Sequence, residues 1–260
     1  MKNKTLSTTP GRRLAACSLL GLAIACYAPG AMASAASAPG GLYVGYYQED
    51  PRTNPEDPTP GAFVLELPDQ DAAFGGAMYF TFVGCQNSNV GAVKGTKAGK
   101  TLTGSWSGTI DNSAQSGAYS GTYDKGSGAY RGSYSVSGGK QFKDIAGCIQ
   151  YYIGPNGTWE MFPVEQNQPA SFRLDVAGGQ VSWRAVPNTA MTLVYVIDPA
   201  VARAGSGNPI KIQTVLPGPV NRFDLRDARL AKGKEYIVVA LANTAKAQRA
   251  GFASKRFVAP

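Results

Sequence analysis

Gly104-Ser105-Trp106-Ser107-Gly108-Thr109-Ile110-Asp111 is followed by Gly117-Ala118-Tyr119-Ser120-Gly121-Thr122-Tyr123-Asp124, and then by Gly128-Ala129-Tyr130-Arg131-Gly132-Ser133-Tyr134-Ser135. The three copies start 13 and 11 residues apart. That spacing suits consecutive strands joined by short turns at Asp111-Asn112-Ser113 and Asp124-Lys125-Gly126. Residues two apart on a strand share a face. One face therefore carries Gly104, Trp106, Gly108 and Ile110, and their counterparts Gly117 to Tyr123 and Gly128 to Tyr134. The opposite face carries Ser105, Ser107, Thr109, Ala118, Ser120, Thr122, Ala129, Arg131 and Ser133, and is small and mostly hydroxylic. Rings lying over the glycines of neighbouring strands would protect backbone that glycine leaves bare. Most of the rings are expected to form a core, packed against the apolar run Met78 to Val83.

Working outward, Ile149–Ile153 and Thr158–Phe162 flank Gly154-Pro155-Asn156-Gly157, and Asn-Gly is a hairpin signature. Few stretches show helical periodicity, so the chain is expected to be all-β and antiparallel. Its composition shifts at Pro163 to Pro169. Residues 34–168 hold 8 Lys+Arg against 12 Asp+Glu and 22 glycines; residues 169–260 hold 13 against 5, and 7 glycines. Two domains are expected, a Gly/aromatic-repeat β domain over 34–168 and a second over 169–260.

In the second, short apolar alternations recur: Phe172–Val176, Val181–Trp183, Met191–Ile197, Ile210–Ile212, Phe223–Leu225 and Tyr236–Ala242. Gly178-Gly179 reads as a tight hairpin between the first two. Trp183 on the second strand, and Leu230-x-x-Gly233-x-x-Tyr236 followed by Val238, Ala240, Ala242 and Asn243, resemble the fibronectin type III family. The resemblance spans 169–260. It implies an immunoglobulin-like β-sandwich whose Tyr236 anchors a corner through its hydroxyl. It implies no particular ligand.

The chain has 260 residues and no His, which removes imidazole catalysis and imidazole metal sites. Its N-terminus has a basic start (Lys2, Lys4, Arg12, Arg13), an apolar run from Leu14 to Ala28, and small residues from Ala31 to Ala38 that begin with an A-x-A cleavage site at Ala31-Met32-Ala33. Residues 1–33 therefore read as a secretory signal peptide, and the protein as exported, periplasmic or extracellular, in a bacterial cell envelope. Leu22-Ala23-Ile24-Ala25-Cys26 offers the alternative of a lipid anchor through Cys26. Nothing downstream is long and apolar enough for a transmembrane helix. Removing the leader takes four positive charges and lowers the formal net charge from +8 to +4. The two remaining cysteines, Cys85 and Cys148, are expected to form a disulfide.

Several residues are candidates for chemistry. Tyr43, Tyr46 and Tyr47 do not fit the repeat and are expected to be exposed for stacking on sugar rings, with Trp159 as a further candidate. Glu49, Asp50, Glu56 and Asp57 cluster oxygen ligands that suit Ca²⁺ but lack the spacing of a calcium loop. Glycoside hydrolysis would need two carboxyls from Glu49, Asp50, Glu56, Glu66, Asp111, Asp124 and Glu160, and no motif selects a pair. No cofactor motif is present. Basic clusters at Arg222–Lys234 and Lys246–Arg256 suit anionic lipid, polysaccharide or the acidic first domain. Export and the lack of a recognition motif speak against nucleic acid. The expected role is a non-enzymatic binding or adhesion module with a glycan partner. The alternatives are a structural or protein-interaction component of the envelope, and a glycoside hydrolase.

Overall fold

The repeat folds into three adjacent staves of a closed antiparallel barrel. The structure is a computed structural model that describes residues 37–50, 52, 60–81, 88–110, 113–137, 142–145, 148–150, 156–166, 169–204 and 207–260. The barrel strands are β1 (Gly41–Glu49), β2 (Gly61–Leu67), β3 (Ala72–Thr81), β4 (Ser88–Ala98), β5 (Thr101–Ile110), β6 (Ser113–Asp124) and β7 (Ala129–Ser137). Two short strands, β8 (Phe142–Ile145) and β9 (Cys148–Gln150), pair with each other before β10 (Asn156–Pro163) returns to the barrel. Each stave pairs with its neighbour in sequence, and β10 closes the ring between β7 and β1. Closure rests on a register running from Tyr43 opposite Pro163 to Glu49 opposite Gly157. The hairpin expected between 149–153 and 158–162 is thus corrected: β9 pairs with β8, and β10 pairs with β1 and β7.

Exposure alternates along β5 to β7 as the repeat requires. Leu102, Trp106 and Tyr130 point inward and are buried, whereas Ser105, Ser107, Ser120, Thr122, Ser133 and Ser135 are exposed. The interior is filled by rings and aliphatic side chains, including Tyr43, Tyr47, Phe63, Leu65, Trp106, Tyr130, Trp159 and Met161. Glycine makes room for the rings. Gly121 and Gly132 face each other across β6 and β7, and the Trp159 ring covers both; a Cβ at Gly132 would sit 2.6 Å from Trp159 Cζ2. One buried charge is satisfied by backbone: the Lys97 ammonium donates to the carbonyls of Pro68 (2.8 Å) and Asp69 (3.0 Å) in the turn after β2.

Beyond Pro169 lie β11 (Leu174–Ala177), β12 (Gln180–Trp183), β13 (Met191–Ile197), the short helix α1 (Pro199–Ala204), β14 (Ile210–Pro217), β15 (Arg222–Asp224), β16 (Glu235–Asn243) and β17 (Arg249–Val258). They form a three-stranded sheet β11-β12-β15 and a four-stranded sheet β14-β13-β16-β17. Gly178 and Gly179, both at positive φ, make the β11–β12 turn. A core containing Phe172, Trp183, Val194, Val196, Val238 and Ala240 lies between the two sheets. The Tyr236 hydroxyl accepts a hydrogen bond from the backbone N–H of Ala231 (3.1 Å).

The four-stranded sheet is covered on both faces. Its even-numbered side chains on β13 and β16 enter the core just described. The odd-numbered Leu193, Tyr195, Ile197, Ile237, Val239 and Leu241 pack instead on Leu42, Val44, Tyr46, Ala62, Val64 and Phe162, outside the barrel. Burial on both faces explains why these segments are continuous apolar runs rather than alternations. Residues 35–260 accordingly form one compact unit. Ion pairs cross the same junction: Arg203 to Glu66 (3.6 Å), Arg249 to Glu160 (3.3 Å) and Arg256 to Glu165 (4.0 Å). Each joins a base from the basic half to an acid from the acidic half.

Candidate functional site

Strand register lines up the outward side chains of β6, β7, β10 and β1 in rows. Ser120 lies opposite Ser133, Ser133 opposite Thr158, and Thr158 opposite Gln48. The next row runs Ala118, Ser135, Asn156. Neighbouring strands stand ~4.8 Å apart, so each row is a comb of side chains at that interval. Ser120, Ser133, Ser135, Asn156 and Thr158 are all exposed. With Asp50 and Arg52, and with Gln248 from the β16–β17 turn, they line an open groove of about 720 Å³. The Gln48 amide oxygen accepts from the Arg249 backbone N–H (2.7 Å). What Gln48 offers a ligand is therefore its NH₂. Hydroxyls both donate and accept, so the groove suits a ligand that itself carries many hydroxyls.

A charged row borders the hydroxyl comb: Thr122, Arg131, Glu160 and Tyr46. Glu160 is buried and accepts from the Tyr46 hydroxyl and from Arg131 Nε, with Arg249 Nη1 3.3 Å from Oε2. The Arg249 guanidinium sits 4.9 Å from the centre of the Tyr46 ring. Burial, reinforced by the bond to Glu160, pushes the Tyr46 hydroxyl far above its ordinary range, so it remains a neutral donor. Arg131 Nη1 reaches Asp124 (2.9 Å), whose carboxylate also accepts from Ser127 Oγ (2.8 Å) and the Gly126 N–H (2.9 Å). Asp124 is held below its usual range by those turn hydrogen bonds and by Arg131. These acids tie strands and layers together.

The stacking candidates are corrected. Tyr43, Tyr46, Tyr47 and Trp159 are 0%, 4%, 5% and 7% exposed, which leaves no face for a sugar ring. Tyr43, Tyr47 and Trp159 belong to the barrel interior, where the Tyr43 hydroxyl donates to the Pro39 carbonyl (2.8 Å) and Trp159 Nε1 to the Ser133 carbonyl (3.1 Å). Tyr46 lies between barrel and sheet, against Phe252. A residue that fits no alternation here is one whose strand is buried on both sides.

The calcium candidates do not assemble among the described residues. Glu49 is buried on β1, and Asp50 is clamped by Arg52, with Nε at 2.9 Å and Nη2 at 2.6 Å. That clamp, with the Arg52 N–H, holds the Asp50 carboxyl down at about 2. Glu56 and Asp57 lie outside the described residues, as do Asp111, Cys85, Cys26 and the rest of the expected signal peptide over 1–33. Of Cys148 only its place in β9 is described. No group of three metal-binding side chains occurs among the described residues. No helix of the described residues is long and apolar enough to cross a membrane.

Parity in the sequence separated the hydroxyl face from the ring face. The alignment of Ser120, Ser133, Thr158 and Gln48 depends on the register of β10, about which the repeat carries no information. No family model matches the chain, and no curated protein matches it.

Proposed function

We propose that this chain is an exported, non-enzymatic binding or adhesion module of the bacterial cell envelope that holds a neutral polysaccharide along the hydroxyl comb outside the barrel. The observation that carries this reading is the register of Ser120, Ser133, Thr158 and Gln48 across four strands of a rigid closed sheet. Preorganised donors and acceptors at regular intervals lower the ordering cost of binding an extended polar polymer. Hydrogen bonds replace the ring stacking expected from the tyrosines, because the rings are spent on the core.

In this reading β11 to β17 are a fibronectin type III-like domain that docks and spaces the barrel. Support comes from the three-plus-four strand arrangement, Trp183 in the core on β12, and the Tyr236 hydroxyl bonded back to Ala231. A non-enzymatic role is supported by the engagement of Glu160, Asp124 and Asp50 by arginines. Residues 35–260 should retain members of a neutral glycan array, and Ser133→Arg, which fills the groove from an exposed position, should abolish retention. No retained neutral glycan, or retention unaffected by Ser133→Arg, would overturn the reading. Export predicts that protein recovered from the producing cell begins near Ser34.

A further inference from the structure

A second groove, of about 890 Å³, lies between the outer edges of β14 and β15. Its cations come from three elements: Lys211 on β14, Arg222 on β15, and Arg226 and Arg229 from the 3₁₀ turn after β15. We infer that this groove binds an anionic polysaccharide, at a site separate from the hydroxyl comb.

The charge balance favours an anion. Among the described lining residues the one carboxylate is Asp224, and Arg226 clamps it through Nε at 2.9 and 3.0 Å. That pair is internally neutral. Lys211 stands 3.9 Å from Asp198 Oδ2, which Lys234 already holds at 2.6 Å. Arg222 and Arg229 are exposed, and neither has an ion-pair partner among the described residues. The described lining side chains therefore carry a surplus of three cations.

Their placement is built into the backbone. Arg229 closes the 3₁₀ turn at φ 49° and ψ 38°, a left-handed conformation that residues with a Cβ seldom adopt. Asp224 fixes Arg226 through both its guanidinium and its N–H (2.9 Å). Half-buried Ile212 and Phe223, which also pack against the core between the two sheets, line the groove, as do Gln180 and Gln213. Cations beside amides and half-buried apolar side chains match a sugar chain bearing acidic groups better than a bare phosphate polymer. Concavity favours a chain over a bilayer, whose contact needs protruding apolar side chains.

Basic side chains on exposed strand edges also keep sheets from pairing with one another. That role alone predicts no saturable ligand, so binding decides between the two. Residues 35–260 should bind sodium polygalacturonate saturably at low salt and release it as salt rises. The double variant Arg222→Gln, Arg229→Gln should weaken binding at least about tenfold. The charge-matched control Arg184→Gln, Lys246→Gln, outside the groove, should leave it near wild type, as should Ser133→Arg in the hydroxyl comb. Any of four results would overturn the inference: no saturable binding, equal losses in both double variants, preference for inorganic polyphosphate over polygalacturonate, or binding to phosphatidylglycerol vesicles without binding to the polymer. The Ser133→Arg arm keeps failure here distinguishable from failure of the hydroxyl comb.

Discussion

Leu193 is the place to test whether the two halves stand or fall together. It is fully buried on β13, on the face of the four-stranded sheet that packs against Val44, Val64 and Phe162 outside the barrel. Truncation to Ala removes a buried isobutyl group and leaves a cavity, which costs about 3 kcal/mol at a site that cannot collapse. Two sheet layers meet there, each held by its own hydrogen-bonded ladder, so collapse is restricted. For a cooperative unit of this size, each kcal/mol lowers Tm by roughly 2–4 °C, which gives a loss of about 6–12 °C. The tryptophans provide local reporters. Trp106 and Trp159 are inside the barrel, whereas Trp183 is in the core between the two smaller sheets. In a Trp183→Phe background, fluorescence reports the barrel alone. Leu193→Ala, a change wholly outside the barrel, should still lower the barrel transition by the full amount relative to that background. A barrel transition that stays put while far-UV circular dichroism shows the remaining strands melting earlier would refute a shared core.

Gly132→Ala should destabilise by about 3 kcal/mol or more, because its Cβ would meet the Ser120 carbonyl oxygen at 1.9 Å and the Trp159 ring at 2.6 Å; urea unfolding of the pure variant measures it. Glu160→Gln leaves two guanidinium groups short of a carboxylate. Both arginine side chains keep substantial solvent access (50% and 38%), so the loss should be roughly 2 kcal/mol, short of that for a fully buried pair, and a double-mutant cycle with Arg249→Met isolates the shared part. Asp198 is buried, which raises its pKa, but Lys234 and the N–H groups of Val201 and Ala200 outweigh burial and leave it lowered. A depressed carboxyl contributes stability above the unfolded value of about 3.9, and that contribution is lost as pH falls through the folded value. The gap in urea midpoint between wild type and Asp198→Asn should therefore narrow as pH falls from about 5 to about 2; a constant gap would mean that the charge of Asp198 is not what stabilises.

Local patterning carried the strands and little of their closure. Three copies of a Gly-x-ring alternation suffice to place β5, β6 and β7 side by side, since each turn joins sequence neighbours and parity does the rest. Closure depends on β1 meeting β10, a pairing between segments more than a hundred residues apart whose register no turn fixes. The continuous runs 42–47 and 191–197 held the missing information. Read as unpatterned, 42–47 suggested exposed tyrosines, and 191–197 read as one more alternation; read as strands with no polar face, both point to burial on both sides. Tyr46 and Tyr47 are adjacent in one such run and serve different cores, Tyr47 inside the barrel and Tyr46 outside it.

The same geometry explains why the hydroxyl comb outside the barrel carries none of the rings in which the sequence is rich. A barrel of eight strands has an interior that side chains must fill, and glycines on neighbouring strands, Gly121 and Gly132 for Trp159 and Gly117 for Trp106, give that interior the width for the rings. Each ring placed inside fixes a small residue's neighbour outside, because alternation is strict. The abundance of Ser and Thr beside the Gly and Tyr is therefore the outer half of the packing pattern. A comb of hydroxyls on a sheet stiffened by buried rings is one consequence of that pattern. The junction with the four-stranded sheet is the other, occupying the staves whose outer residues are apolar. In the proposed function, recognition and docking use different sectors of one barrel wall. Arg131, Glu160 and Tyr46 mark the boundary between them, and Arg249 reaches across from β17 to meet it. Substitutions on the Ser120 side of that row should alter binding and leave stability intact, whereas those on the Phe162 side should do the reverse.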